Sequence, residues 1–185
     1  MPVIEIRWHG RGGQGGVTSA ELLARAAYYD GYKGVQAFPY FGAERRGAPV
    51  KAFTRISDRE INVRSQIYEP DIVAVLDPSI IDLIDVTEGL KPDGKVIINT
   101  PKKPSEIDLP RGHIYTYDGT GIALRHGLLV AGLPVVNTTM LGAFAKATGL
   151  VKLETVQKVI MEKWPGAVGE RNAEGAREAY ETCTD

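Results

Sequence analysis

A single α/β domain built on a mostly parallel sheet is what this sequence predicts, and three observations predict it. A β-branched segment at the start runs into a glycine-rich loop and then into a helical stripe of small residues. Two short, continuous apolar runs follow in mid-chain, the pattern of strands buried on both faces. The 185 residues are enough for one good core and short for two, with hydrophobic residues at 43% and charged residues at 24%.

The elements follow in order. Residues 3–8 alternate and are rich in β-branched side chains, which makes a strand. "GRGGQGG" then places five glycines in seven positions, from Gly10 to Gly16. Behind it Val17, Ala20, Ala24 and Ala27 form a stripe that lets a helix sit close against a sheet. Gly31 and Gly34 end that helix, and residues 35–38 form a second strand. Residues 39–49, "PYFGAERRGAP", have no period and read as a loop. Residues 50–55 and 61–64, turned at Asp58-Arg59, read as a hairpin, which places an antiparallel pair at one edge of the sheet.

"DIVAVLD" (71–77) and "GKVIINT" (94–100) are the two buried strands. Between them Pro78 opens a helix with Ile80, Ile81 and Ile84 on its inner face. Residues 101–110 are a proline-rich connector, and residues 113–117 are a short last strand. The final third is helical. Asn137-Thr138 caps a helix carrying Met140, Leu141, Phe144 and Ala145, and Gly149 stops it. Leu153, Val156, Val159 and Ile160 make the next stripe, and Ala173, Ala176 and Tyr180 mark a terminal helix. The expected architecture is a Rossmann-like sheet with helices on both faces, an antiparallel edge hairpin and C-terminal helices. It forms one domain over residues 1–185.

Composition narrows the function. A net charge of −1 gives no reason to expect nucleic acid or an anionic membrane as partner. Cys183 is the only cysteine, so the chain has no internal disulfide and cannot by itself hold a tetrahedral zinc or an iron–sulfur cluster. The longest apolar stretch, residues 127–136, is too short to span a bilayer and contains Pro134. No cationic segment followed by a long apolar one opens the chain, so the expectation is a cytoplasmic protein. His9, His113 and His126 have neither cysteine neighbours nor the HExxH spacing. There is no G-x-S-x-G elbow and no P-loop lysine. No catalytic residue and no metal ligand is assigned.

Two constellations remain. Gly10, Gly12 and Gly15 satisfy G-x-G-x-x-G between a strand and a helix, with Arg11 and Gly13 inside the block. Side-chain-free backbone lets amides approach a phosphate, and the helix N-terminus adds about half a positive charge. Arg11 adds a charge-assisted hydrogen bond in that reading. A dinucleotide site wants an acid at the end of the second strand, where this chain has Val35-Gln36-Ala37-Phe38, and Glu44 lies well beyond. Two uses of the block stay open: a phosphate or polyanion site, and a turn needing positive φ and close packing.

The second constellation is "FGAERRGAPVKAFTR", with Arg45, Arg46, Lys51, Arg55 and nearby Arg59. It suits the clasping of an acidic ligand or a partner's carboxylates, and equally a solvated edge that discourages sheet-to-sheet aggregation. Asp77 ends a strand where doubly wound sheets place ligand groups, and the same position caps the helix at Pro78.

"GRGGQGGVTSAELLARAA", "YFGAERRGAPVKAFTRIS", "PDIVAVLD" and "NTTMLGAFAKATGL", in this order and spacing, resemble the gamma subunit of 2-oxoacid:ferredoxin oxidoreductases, most closely of the pyruvate enzyme (pyruvate synthase). The four blocks cover most of the chain. The resemblance implies a complex that converts a 2-oxoacid and CoA to acyl-CoA, CO2 and reduced ferredoxin. Thiamine diphosphate and [4Fe–4S] clusters are then carried by alpha-, beta- and delta-type subunits, with ferredoxin an indirect partner. It further implies that Gly10, Arg11, Gly12, Gly13, Gly15, Arg45 and Arg46 face that assembly or the place where CoA enters. The alternative is a stand-alone NAD(P)- or CoA-binding Rossmann-type protein.

Overall fold

In the computed structural model, which describes residues 1–40, 42 and 45–185, the chain forms a six-stranded sheet with five α-helices. The strands are β1 (Ile4–Arg11), β2 (Gly34–Pro39), β3 (Pro49–Ser57), β4 (Ile72–Val75), β5 (Lys95–Asn99) and β6 (His113–Tyr117), in the order β2-β3-β1-β4-β5-β6. β1, β4, β5 and β6 are mutually parallel. β3 alone runs against its neighbours, between β1 and β2.

That placement corrects the expected hairpin. The antiparallel edge pair is β2 with β3, and residues 61–64 form no strand. They lie beside the edge strand instead, where the Gln36 side chain donates to the carbonyls of Ile61 (3.3 Å) and Val63 (3.2 Å). β3 alternates apolar and charged residues because both of its faces are buried, one against helices and the other in a polar layer.

The helices are α1 (Gly16–Tyr29), α2 (Gly119–Arg125), α3 (Asn137–Thr148), α4 (Leu153–Lys163) and α5 (Ala167–Thr182). All five contribute to one core on one face of the sheet, with Ile6, Trp8, Ala52, Ala74 and Ile97 beneath them. The Trp8 indole stacks on Phe144 at 5.8 Å, and its N–H donates to Thr54 Oγ1 at 3.0 Å, so this large side chain is buried with its one polar atom satisfied. The expected stripe of α1 faces the core: Ala20 and Ala27 are fully buried, Ala24 is buried and Val17 partly so. Asp30, which follows α1, accepts from the Lys152 amide (2.7 Å) and the Thr155 hydroxyl (2.6 Å), capping the start of α4 from another element.

The opposite face departs from the expected layering. The helix at Pro78 is a single 3-10 turn, Pro78–Asp82, with Ile80 buried and Leu83 exposed. Asp85 Oδ1 accepts from the Thr87 amide (2.9 Å) and hydroxyl (2.6 Å), a local side-chain turn that competes with helix continuation. Val73, Val75, Val96 and Ile98 therefore pack beneath Ile80, Val86 and Leu90 of a mostly irregular segment.

Two buried guanidiniums tie irregular chain to this face. Arg7 donates to the carbonyls of Val86 (3.0 Å) and Glu88 (2.7 Å). Arg55, 1% exposed, pairs with Glu5 at 2.8 Å and donates to the Ser65 carbonyl at 2.7 Å. The five fixed donors of arginine satisfy carbonyls that a regular helix would have paired internally. A short hairpin, β7 (Leu129–Val130) and β8 (Leu133–Pro134), also escaped the sequence reading, as did α2. The hairpin turn is built on Ala131 (φ 51) and Gly132 (φ 78), the two positive φ angles of a tight hairpin connection.

Candidate functional site

The parallel strands end where the glycine block begins. β1 carries Gly10 and Arg11 to its last positions, and α1 starts at Gly16 behind Gly15, whose φ of 80° and ψ of 28° only glycine adopts without strain. β4 ends beside it, and Asp77 follows. This is the switch point of the sheet, where β1 crosses over α1 to one side and β4 leads to β5 on the other.

The block and the second constellation meet here. The Gly12 amide donates to the Ala48 carbonyl at 3.0 Å, and the Gly47 amide returns a bond to the Gly12 carbonyl at 3.3 Å. Gly12 and Arg46 form a parallel bridge. A Cβ on Gly12 would stand 2.7 Å from the Arg45 carbonyl oxygen, so this glycine is required by close approach of two backbones. Arg45 and Arg46 are exposed on the segment strapped over the loop. Phe41, Ala43 and Glu44, part of the same motif, lie outside the described residues.

Arg11 is a clamp, which revises its expected role as an anion ligand. Its Nε pairs with Asp77 at 3.1 Å, Nη1 donates to the Gly47 carbonyl at 3.0 Å, and Nη2 donates to Ser79 Oγ at 2.7 Å. One guanidinium thus joins the glycine loop, the strap and the turn after β4. Gln14 completes the frame: its Oε1 accepts from the Arg11 amide (2.7 Å) and its Nε2 donates to Asp77 (2.9 Å). Asp77 also caps the 3-10 turn, accepting from the Ser79 amide at 3.0 Å, as the capping reading of this acid expects. Partial burial pushes its carboxyl up, but bonds from Ser79 and Gln14, with the Arg11 charge, outweigh that and hold it below the usual carboxylate range.

Among the described residues, amides without an acceptor remain in the loop, at Gly13 and Gly15, and at the start of α1. Those of Gly16, Val17 and Thr18 find no acceptor among the described residues, and no side chain caps the helix or adds an acid to its first turn. Gly13, with φ 90° and open space around its α-carbon, stands at the tip of the loop.

Beside the loop opens a cleft of about 290 Å3, lined by Trp8, Gly16, Val17, Tyr40, Lys51 and Ile84, with Gly10 and the proline-flanked ends of β2 and β3. Lys51 is the only charged side chain among the described residues that line it. Burial lowers its ammonium pKa, and the Arg7 charge lowers it further. His9, opposite Lys51 on β1, is held well below the ordinary histidine range by burial, then by Arg7 and Lys51. It is neutral, and its Nε2 accepts from Arg7 Nε at 3.0 Å.

Cys183 is buried, and burial pushes its thiol up to about 12, so it is no nucleophile. No helix is long and apolar enough to cross a membrane, among the described residues. The site residues that sequence reasoning missed are Gln14 and Ser79. Gln14 carried a signal, a lone amide inside a run of glycines. Ser79 reaches the site only through the fold.

Residues 5–182 match the family model described as pyruvate ferredoxin/flavodoxin oxidoreductase. The chain belongs to this family. It is 58% identical over 182 residues to a protein of Thermococcus kodakarensis named pyruvate/ketoisovalerate oxidoreductases common subunit gamma, covering 96% of each chain. It is 56% identical over 179 residues to pyruvate synthase subunit PorC of Methanocaldococcus jannaschii, again covering 96% of each. The crystal structure of pyruvate oxidoreductase subunit PORC from Thermotoga maritima superposes with a TM-score of 0.83 at 37% identity, covering 99% of both chains. The chain is a gamma subunit of a pyruvate or 2-oxoacid ferredoxin oxidoreductase.

Proposed function

We propose that this gamma subunit supplies the anion-binding wall at which CoA enters a complex whose redox and carbanion chemistry is carried by other chains. The observation that carries the reading is the cleft at the switch point. The uncapped first turn of α1, the half-buried Lys51 ammonium and an apolar floor converge there, with Arg45 and Arg46 exposed on the strap above. Amides at a helix start and a desolvated cation suit phosphate oxygens, and an apolar channel suits the uncharged arm of the same ligand.

In this reading thiamine diphosphate and [4Fe–4S] clusters sit on alpha-, beta- and delta-type subunits and supply the decarboxylation and the electron path to ferredoxin. This chain binds and orients: the clamp of Arg11, Asp77 and Gln14 fixes the loop, and the strap presents Arg45 and Arg46 to the assembly or to the ligand. Selection of the 2-oxoacid then lies elsewhere in the complex. The Thermococcus kodakarensis relative is named as common to a pyruvate and a ketoisovalerate oxidoreductase, which supports a gamma chain that is indifferent to the acid. Pyruvate is the proposed substrate here, from the relatives named pyruvate synthase.

The test is anaerobic purification of the chain from its native source, followed by assay of what accompanies it for iron, sulfide and thiamine diphosphate. A brown complex that reduces ferredoxin with pyruvate and CoA is expected. A colourless protein, stable without partners, overturns the reading.

A further inference from the structure

The longest apolar stretch of the chain, residues 127–136, lies largely on the surface. Leu128 turns into the core, but Leu129, Val130 and Leu133 of the β7–β8 hairpin are exposed, the last two by 64% and 65%. The tip keeps this character. Ala131 is the one non-glycine residue with positive φ among the described residues, at a position where Asn, Asp or Gly is the ordinary choice. The turn therefore carries a methyl and no polar side chain. Leu124 of α2, also exposed, stands at the foot of the hairpin, where its carbonyl accepts from the Gly127 amide at 3.3 Å.

A groove of about 200 Å3 opens between the hairpin and the junction of α4 with α5. Leu129, Val130, Val135, Trp164 and Val168 line it, and Arg171 is the only charged residue among its described lining. The polar groups around Arg171 are already engaged. Asn172 donates to the Val168 carbonyl at 2.9 Å and accepts from the Thr138 hydroxyl at 2.8 Å, and Arg177 pairs with Glu174. Arg171 itself forms no hydrogen bond or ion pair with a described residue.

An exposed apolar hairpin beside a groove is the anatomy of an interface core, and this chain is a subunit of a larger enzyme. The charges select the kind of partner. A second copy would set Arg171 against the same acid-free lining, whereas a two-fold contact must be complementary to itself. A lipid surface takes apolar residues flanked by lysine and arginine, yet α5, beside the groove, carries four glutamates against two arginines. We infer that residues 128–135 and Arg171 form a docking surface for another subunit of the same oxidoreductase, which lays an apolar segment into the groove and brings a carboxylate to the Arg171 guanidinium. The inference does not depend on what the glycine loop binds.

The test is coexpression of the complex with a tagged gamma subunit carrying either Val130→Asp with Leu133→Asp, or Arg171→Glu. The readout, per mole of tag, is ferredoxin-reducing activity and the companion chains recovered, identified by mass spectrometry. These positions are exposed, so each variant expressed alone should keep the melting temperature of the unaltered subunit. The double variant is expected to lower both readouts by about tenfold or more, because docking would bury carboxylates without partners. Arg171→Glu should do the same in kind, with Arg171→Lys recovering part of the loss. If a variant fails to fold, hydrogen exchange of the unaltered protein carries the test: the amides of residues 128–135 should exchange several-fold more slowly in the assembled enzyme than in the subunit alone. Full recovery with both variants, or equal exchange, overturns the docking surface. A lone subunit that sediments as a dimer, and as a monomer once Val130 and Leu133 are changed, assigns the hairpin to a second copy and overturns the choice of partner. Flotation of the lone subunit with phosphatidylglycerol vesicles overturns it in favour of a membrane.

Discussion

The Arg11 guanidinium meets the Asp77 carboxylate at 3.1 Å across the ends of two parallel strands, and this pair makes the glycine loop a fixed structure. The side chains are 27% and 19% exposed, so the pair itself contributes modestly after solvent screening. Its larger effect is geometric, because Gly47, Ser79 and Gln14 all bond to the same two groups.

Asp77→Asn is therefore expected to destabilise the subunit by about 1–2 kcal/mol at neutral pH. The carboxyl is held below its ordinary range, so its contribution is present above the unfolded value, about pH 4. It is lost as pH falls through the folded value. Melting of the wild-type and Asn variants should differ at pH 7 and converge well below pH 4. A constant gap across that range would rule out the charged pair as the cause.

Gly12→Ala tests the strap. The added methyl meets the Arg45 carbonyl oxygen at 2.7 Å, and backbone on both sides leaves little room to yield. The strap should lift from the loop while the sheet stays folded. Trypsin cleavage after Arg45 or Arg46, timed in the isolated subunit, should accelerate several-fold with little change in circular dichroism. An unchanged rate would mean that the strap accommodates the methyl.

The polar face offers a stronger perturbation. Arg55→Met leaves Glu5 without its cation and the Ser65 carbonyl without its donor. Breaking a buried pair from one side costs about 3–5 kcal/mol, so chemical denaturation should show a loss of this order. Arg55→Lys should recover only part of it, since one ammonium cannot reach all the acceptors of the fork.

His9 sets a further pH dependence. Its imidazole is held neutral in the fold by burial, with Arg7 and Lys51 adding to the effect. A folded value below the unfolded one, about 6.5, means that stability is present above that value and falls as pH drops beneath it. His9→Gln keeps a side-chain acceptor for Arg7 and removes the titration. The variant should lose less stability than the wild type between about pH 6.5 and pH 5 in denaturant titrations. Equal losses would mean that other groups carry the acid sensitivity.

Much of this was legible in the sequence. Continuous apolar runs gave β4 and β5 and small-residue periodicity gave α1, while the glycine block and the Arg45-Arg46 motif stood out as two separate constellations whose contact only the fold reveals. The failures have local causes. Residues 50–55 alternate in the way of an edge strand, but the charged members, Lys51 and Arg55, are absorbed by a buried polar layer, so β3 lies inside the sheet. The isoleucines after Pro78 imitate a helix face, yet the Asp85 side-chain turn ends it early. Arg11 looked like a ligand because its partner Asp77 is far away in sequence. Asn137 looked like a cap, yet α3 opens at Val136 with no side-chain cap bond.

The role proposed for the glycine loop of this subunit is to receive the anionic end of CoA within the assembled enzyme. Gly13 is where that role is most open to test, since its α-carbon faces open space and its φ of 90° is one that Asn and Asp tolerate better than other side chains. The most direct measurement is the KM for CoA of the complex carrying Gly13→Asp, beside Gly13→Asn as a control of equal size. A rise of about tenfold or more is expected for Asp, with the KM for the 2-oxoacid unchanged and the Asn variant near wild type. Equal KM values for CoA in all three enzymes would contradict it and return the loop to a turn that faces only protein.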